Sequence, residues 1–206
     1  MITSKRSILS RSSHSGERFK TMIMVEEWLK KYNIGNYTIN RDLTIDVDGD
    51  VNLFKKDLIE IPDYIQFGVI RGNFDCSSNH LSSLRGCPRE VGGYFDCSNN
   101  KLTSLEGSPR EVGGFFDCYN NQLTTLKGSL EKAGWNFNCS HNKLISLEGA
   151  PVMVRGYFDC SHNKLISLEG APKEIDNLFL CGHNSKVFTV NDVNRVCNKY
   201  LAISTK

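Results

Sequence analysis

Six cysteines, Cys76, Cys97, Cys118, Cys139, Cys160 and Cys181, recur at a constant interval of 21 residues. The text around each is nearly fixed, as in GYFDCSNNKLTSLEGSPREV from Gly93 to Val112. Phe stands two positions before the Cys and Asn three after, and Leu stands five and eight after in every unit but the last, where Lys186 and Thr189 take those places. A beat this regular admits few folds. Each unit is too thin to bury its apolar side alone, so the units must stack into a solenoid with one continuous core. The 39% apolar content suits a thin core of this kind.

Within each unit, Phe95 and Cys97 alternate with Tyr94, Asp96 and Ser98, which predicts a short strand with Phe and Cys facing inward. Asn100 then turns the chain, with an amide able to bond backbone groups of its own and the adjacent coil. Leu102 and Leu105 fill the core, Gly107-Ser108-Pro109 makes the return, and Val112 closes the far side. A unit of this length leaves no room there for a full helix, so extended or 3₁₀ backbone is expected. Trp135 in place of a repeat Gly, and Leu130 in place of the return Pro, mark one coil as a local departure.

Outside the repeats the chain divides further. Residues 1–21 carry five Lys/Arg against one Glu and show no sustained period, which predicts a disordered basic leader. Residues 22–70 read as an N-terminal cap. Val25, Trp28, Leu29 and Tyr32 form a helical stripe ended by Gly35. Leu43, Ile45 and Val47 alternate as a strand, and Val51, Leu53, Leu58 and Ile61 imitate a degenerate first coil. Residues 71–185 are the solenoid. Residues 186–206 read as a C-terminal cap helix, opened by a capping box of Thr189 with Asp192 and carrying Val190, Val193, Val196, Cys197, Tyr200 and Leu201 on one stripe.

The units F-D-C-S-x-N-x-L-x-S-L-x-G-x-P resemble the short leucine-rich repeats of bacterial origin. Together with the lead-in WLKKYNI…LTIDVDGDVNL, they resemble leucine-rich-repeat proteins of tailed bacteriophages over roughly residues 24–185. The resemblance implies an α/β solenoid with a parallel sheet on its concave side and a short irregular convex side. It also implies a partner among host bacterial proteins, including anti-phage defence proteins. Some bacterial proteins with such repeats carry a separate ubiquitin-ligase domain after the last coil, but only about two dozen residues follow it here, so no ligase activity carries over.

Strand parity fixes which side chains line the outer face. One column holds Tyr94, Phe115 and Tyr157; the next holds Asp75, Asp96, Asp117 and Asp159; Tyr119 stands in the third, among serines; His141 and His162, with His183, end the fourth. Exposed aromatics on a rigid sheet call for a partner that covers them. A carboxylate row calls for a basic partner or for local hydrogen bonds. The expected function is therefore non-enzymatic protein binding through this face, with no cofactor and no metal. The alternatives are a structural or accessory particle protein, and nucleic-acid binding by the basic leader. No phosphate-binding Gly loop, nucleophile elbow or H-E-x-x-H is present. The six ladder cysteines are expected as reduced thiols. With no apolar targeting segment or membrane span, the expected compartment is the host cytoplasm, where the chain meets no membrane.

Overall fold

The structure is a computed structural model and describes residues 5–205. The chain is a β-solenoid of about eight stacked parallel turns with the 21-residue period. Each turn contributes one short strand to each of two eight-stranded sheets. One, here the FD sheet, runs from Val51–Asn52 through Phe74–Asp75, Phe95–Asp96, Phe116–Asp117, Phe137–Asn138 and Phe158–Asp159 to Leu178–Leu180 and Ala202–Ser204. The other, the EV sheet, includes Phe67–Ile70, Glu90–Val91, Glu111–Val112, Lys132–Ala133, Met153–Val154 and Glu174–Ile175. This second ladder corrects the expectation of a single sheet opposite an irregular side. The far-side backbone is extended, as expected, but two residues per coil are enough to pair with the coils on either side. Register is strict: Phe95 pairs with Phe116 and Phe116 with Phe137, while Glu90 pairs with Glu111. Leu130 is buried in its coil, and Lys132 pairs in register with Met153, so the missing Pro does not disturb the stacking.

Strict register turns each repeat position into a ladder through the core. Phe74 and Phe95 stack with ring centroids 5.7 Å apart, and Phe116 and Phe137 at 5.1 Å. Phe, Cys and both Leu positions of the complete coils are fully buried, apart from Leu168 at 3%. Stacking these rows removes from water an apolar surface that no single coil could cover.

The buried asparagines close the turn. Nδ2 of Asn100 donates to the carbonyl oxygens of Cys76, Cys97 and Ser98 at 3.0–3.2 Å, and its Oδ1 accepts from the Leu81 N–H at 2.9 Å. Asn121, Asn142 and Asn163 repeat the pattern. One amide thus satisfies backbone groups of two coils that no sheet bond reaches.

The ends differ from the sequence reading. Helix α1 spans Lys5–Lys31, so from Lys5 onward the expected unstructured leader is helical, while residues 1–4 lie outside the described residues. Among the side chains described in α1, only Val25, Trp28 and Leu29 are buried. Trp28 packs against Phe67 at 6.1 Å. The helix ends through Asn33, in the left-handed region at φ +54°, rather than through Gly35. Leu43 lies in a turn at φ +68°, and Ile45–Val47 pairs antiparallel with Tyr37–Ile39. At the C-terminus the capping box of Thr189 and Asp192 forms. The helix it opens, α2 (Val190–Asn194), stops there instead of continuing to Leu201. The chain then extends, and Ala202–Ser204 pairs in parallel with Leu178–Leu180. No helix among the described residues is long and apolar enough to cross a membrane.

Candidate functional site

From Asn73 to His183 the outer face of the FD sheet carries four columns of side chains without Lys or Arg, while in the first coil Lys55 stands in register with Ser78 of the fourth column. The first column holds Asn73, Tyr94, Phe115, Asn136 and Tyr157. Tyr94 and Phe115 are half-buried and stack with centroids 4.5 Å apart and planes 5° apart. Asn73 and Asn136 each accept the N–H of the aromatic residue in the next coil, Tyr94 and Tyr157, at 3.0 Å. The column is therefore a stacked pair, a polar break at Asn136, and a separate half-buried Tyr157.

The Asp column lies beside it, and local hydrogen bonds hold its carboxylates. Asp75 accepts from the N–H and hydroxyl of Ser77 at 2.9 and 2.6 Å, and Asp159 accepts likewise from Ser161. Asp96 accepts the Ser98 N–H at 2.9 Å. At Asp117 the Ser is replaced by Tyr119, which offers only its N–H, at 3.0 Å. Desolvation, with Asp96 and Asp159 as like-charged neighbours, pushes Asp117 up to about 7. Desolvation also raises Asp96, with Asp75 as a like-charged neighbour. Burial, reinforced by the nearby carboxylates, likewise raises the phenols of Tyr94 and Tyr157. These two hydroxyls stand in an acidic field.

The margin of the face is set by backbone conformation. Ser78, Asn99, Asn120, His141, His162 and His183 all occupy the left-handed region, with φ between +51° and +54°. Asn and His are among the side chains that tolerate it. Because the positions are in register, the three exposed imidazoles stack: His141 on His162 at 4.1 Å, and His162 on His183 at 4.3 Å. Desolvation and the flanking imidazoles lower His162. Tyr119 meets His141 edge-on at 6.5 Å, and its hydroxyl accepts from Asn99 Nδ2 at 3.0 Å. The structure thus brings Tyr94, Phe115, Asp75, Asp96 and Asp117 together at one end of the face, and Tyr157, Asp159, His141 and His162 at the other, with Tyr119 between them. Among the described residues, no group of three His, Cys, Asp or Glu is placed to hold a metal ion.

The thiols face the core. All eight cysteines are free and buried. Cys118, Cys139 and Cys160 donate to the carbonyl oxygens of Asn138, Asp159 and Leu180 in the next coil at 3.2–3.4 Å. Desolvation holds the thiols of Cys97, Cys118, Cys139 and Cys160 well above their ordinary value, away from the reactive thiolate.

Trp135, which replaces a repeat Gly, is not part of the core. It stands on the surface, 59% exposed, at the bend between the two sheets. The roles of Asn73 and Asn136 were missed, because their partners lie one period away. No protein family matches the chain, and no curated protein sequence matches it.

Proposed function

We propose that this protein is a non-enzymatic binding module of the leucine-rich-repeat kind that docks a basic protein segment on the outer face of its FD sheet. The observation that carries this reading is the stacked Tyr94–Phe115 pair beside Asp96 and Asp117, among columns that hold no Lys or Arg from Asn73 to His183. Aromatic anchors give a partner area at low entropic cost, and the unopposed carboxylates select an Arg- or Lys-bearing segment. The carboxylates repeat with the coil and take local hydrogen bonds, from Ser at Asp75, Asp96 and Asp159 and from Tyr119 N–H and Asn138 at Asp117, which favours a docking face over an acid–base pair. The resemblance to phage repeat proteins makes a host bacterial protein the expected partner, with a defence protein as one candidate class. Capture of host protein by the purified chain tests the reading. Replacing Tyr94, Phe115 and Tyr157 by Ala should abolish capture while the melting curve stays cooperative. Unchanged capture would contradict the proposal.

A further inference from the structure

Four of the residues that break the repeat lie together. In the coils around Glu90 and Glu111, the EV strand and the bend after it read R-E-V-G-G. In two adjacent coils those positions hold other residues: Trp135 replaces the last Gly in one, and Val152, Met153 and Arg155 replace Arg, Glu and Gly in the next. All four gather at one place. Met153 pairs with Lys132, and the Gly156 N–H donates to the Trp135 carbonyl oxygen at 3.1 Å, so the Trp135 and Arg155 coils touch there. The indole lies across Gly156: its Cδ1 is 2.6 Å from where a Cβ at 156 would sit. Trp135 nevertheless stays 59% exposed and Val152 51% exposed.

Met153 and Arg155 of this cluster line a groove of about 840 Å³ on the outer face of the EV sheet, and Trp135 follows its floor residue Gly134. Its floor is the bare backbone of Gly92, Gly113 and Gly134, and Met153 also lines it. Among the groove's charges that have no ion pair within the described residues, Arg110, Lys132 and Arg155 outnumber Glu111 and Glu131. The glycines have a structural reason, since a Cβ at Gly113 would lie 2.2 Å from the Gly92 carbonyl oxygen. The coil stacks have no such need of Trp135, Met153 or Arg155, because neighbouring coils stack with Gly, Glu and Gly at those positions. Among the described residues, neither Arg110 nor Arg155 has a carboxylate within 4.0 Å, whereas Arg71 and Glu90, also on the groove, are paired with Asp48 and Arg89.

We propose that this groove is a second docking site, separate from the FD face, for an extended acidic–apolar polypeptide segment. Its apolar side chain rests on Trp135, Val152 and Met153, and its carboxylate meets Arg155 or Arg110. Trp, Met and Arg are the side chains that concentrate at the centres of protein interfaces. Arg110 and Arg155 sit two coils apart and three positions apart along the chain direction, about 14 Å, or roughly four residues of extended chain. An anchor and a carboxylate within one short segment span that distance.

The test uses the full chain and variants that restore the residues of neighbouring coils: Trp135→Gly, Met153→Glu and Arg155→Gly. These keep the stacking intact, which a melting curve checks. The probes are synthetic peptides pairing Phe, Leu or Trp with Glu or Asp, beside charge-reversed counterparts carrying Lys. The expected result is binding of the acidic–apolar peptides, weakened about tenfold by Trp135→Gly and by Arg155→Gly. Binding should shift the Trp135 emission to the blue, and the Tyr94, Phe115 and Tyr157 triple-Ala variant should leave it unchanged. Equal binding of charge-reversed peptides, or binding unaffected by Trp135→Gly, would overturn the proposal. So would binding of neutral oligosaccharides, or self-association of the chain, that is lost in Trp135→Gly.

Discussion

Nδ2 of Asn121 donates to the carbonyl oxygen of Cys97, in the coil before it, at 3.1 Å. The same amide serves Cys118 in its own coil at 3.2 Å, and its Oδ1 accepts from Leu102 at 3.0 Å. Replacing Asn121 by Ala strands these buried backbone groups and should cost about 3 kcal/mol, since each unmade buried bond carries its full desolvation penalty. Asn121→Asp should be at least as harmful, because a carboxylate accepts but cannot donate. Urea unfolding of the two variants checks this.

Asp117 should make the fold sensitive to pH. Its folded-state value of about 7 exceeds the ordinary 3.8, so between those values the folded chain holds a proton that the unfolded chain has released. Stability therefore falls as pH rises through that window. Asp117→Asn, which copies Asn138 of the next coil, should remove the slope. It should stabilise the protein by about 1 kcal/mol at pH 8, a rise in Tm of ~2–4 °C, and change little at pH 4. Thermal melts of both proteins across that range measure it.

The histidine margin should tolerate residues by backbone conformation rather than by polarity. At φ +52°, His162→Asn should stay within about 0.5 kcal/mol of the parent. The β-branched His162→Val should cost about 1–2 kcal/mol. Converting both His141 and His183 to Asn removes part of what lowers His162, so its titration should move up toward the ordinary histidine value in an NMR pH series.

Burial should silence the thiols. Cys97, Cys118, Cys139 and Cys160 should resist a thiol-specific reagent at pH 8 in the folded protein and react in denaturant. Rapid labelling of the native ladder would contradict their inward placement.

The FD side of the solenoid was legible because its signals are local or strictly periodic. Phe95 and Cys97 alternate with polar neighbours, Asn100 stands at a fixed offset, and Thr189 and Asp192 announce a helix start. The EV sheet was not legible. Its repeat strands, such as Glu90–Val91, put a single apolar residue inward, too few for a period-two pattern, and their partners lie a full repeat away. α2 misled for a different reason. Val196, Cys197 and Tyr200 keep a helical spacing, yet the last coil's strand edge is available for pairing, and Ala202–Ser204 extends to fill it. Of the candidate face, the columns could be assigned by parity, whereas the Asn136 break and the raised Asp117 depend on hydrogen bonds between coils. The Trp135 cluster was half visible: each departure from the repeat can be read from the sequence, but their convergence requires the EV ladder.

The central claim is that the outer face of the FD sheet receives a protein partner. Site-specific photocross-linking tests it most directly, with a photoreactive phenylalanine placed at Phe115 and, in a second protein, at the exposed return-side position Glu106. In host lysate the account predicts one discrete cross-linked protein from position 115, reduced at high salt and absent from position 106. Equal cross-linking from both positions, or from 106 alone, would contradict it.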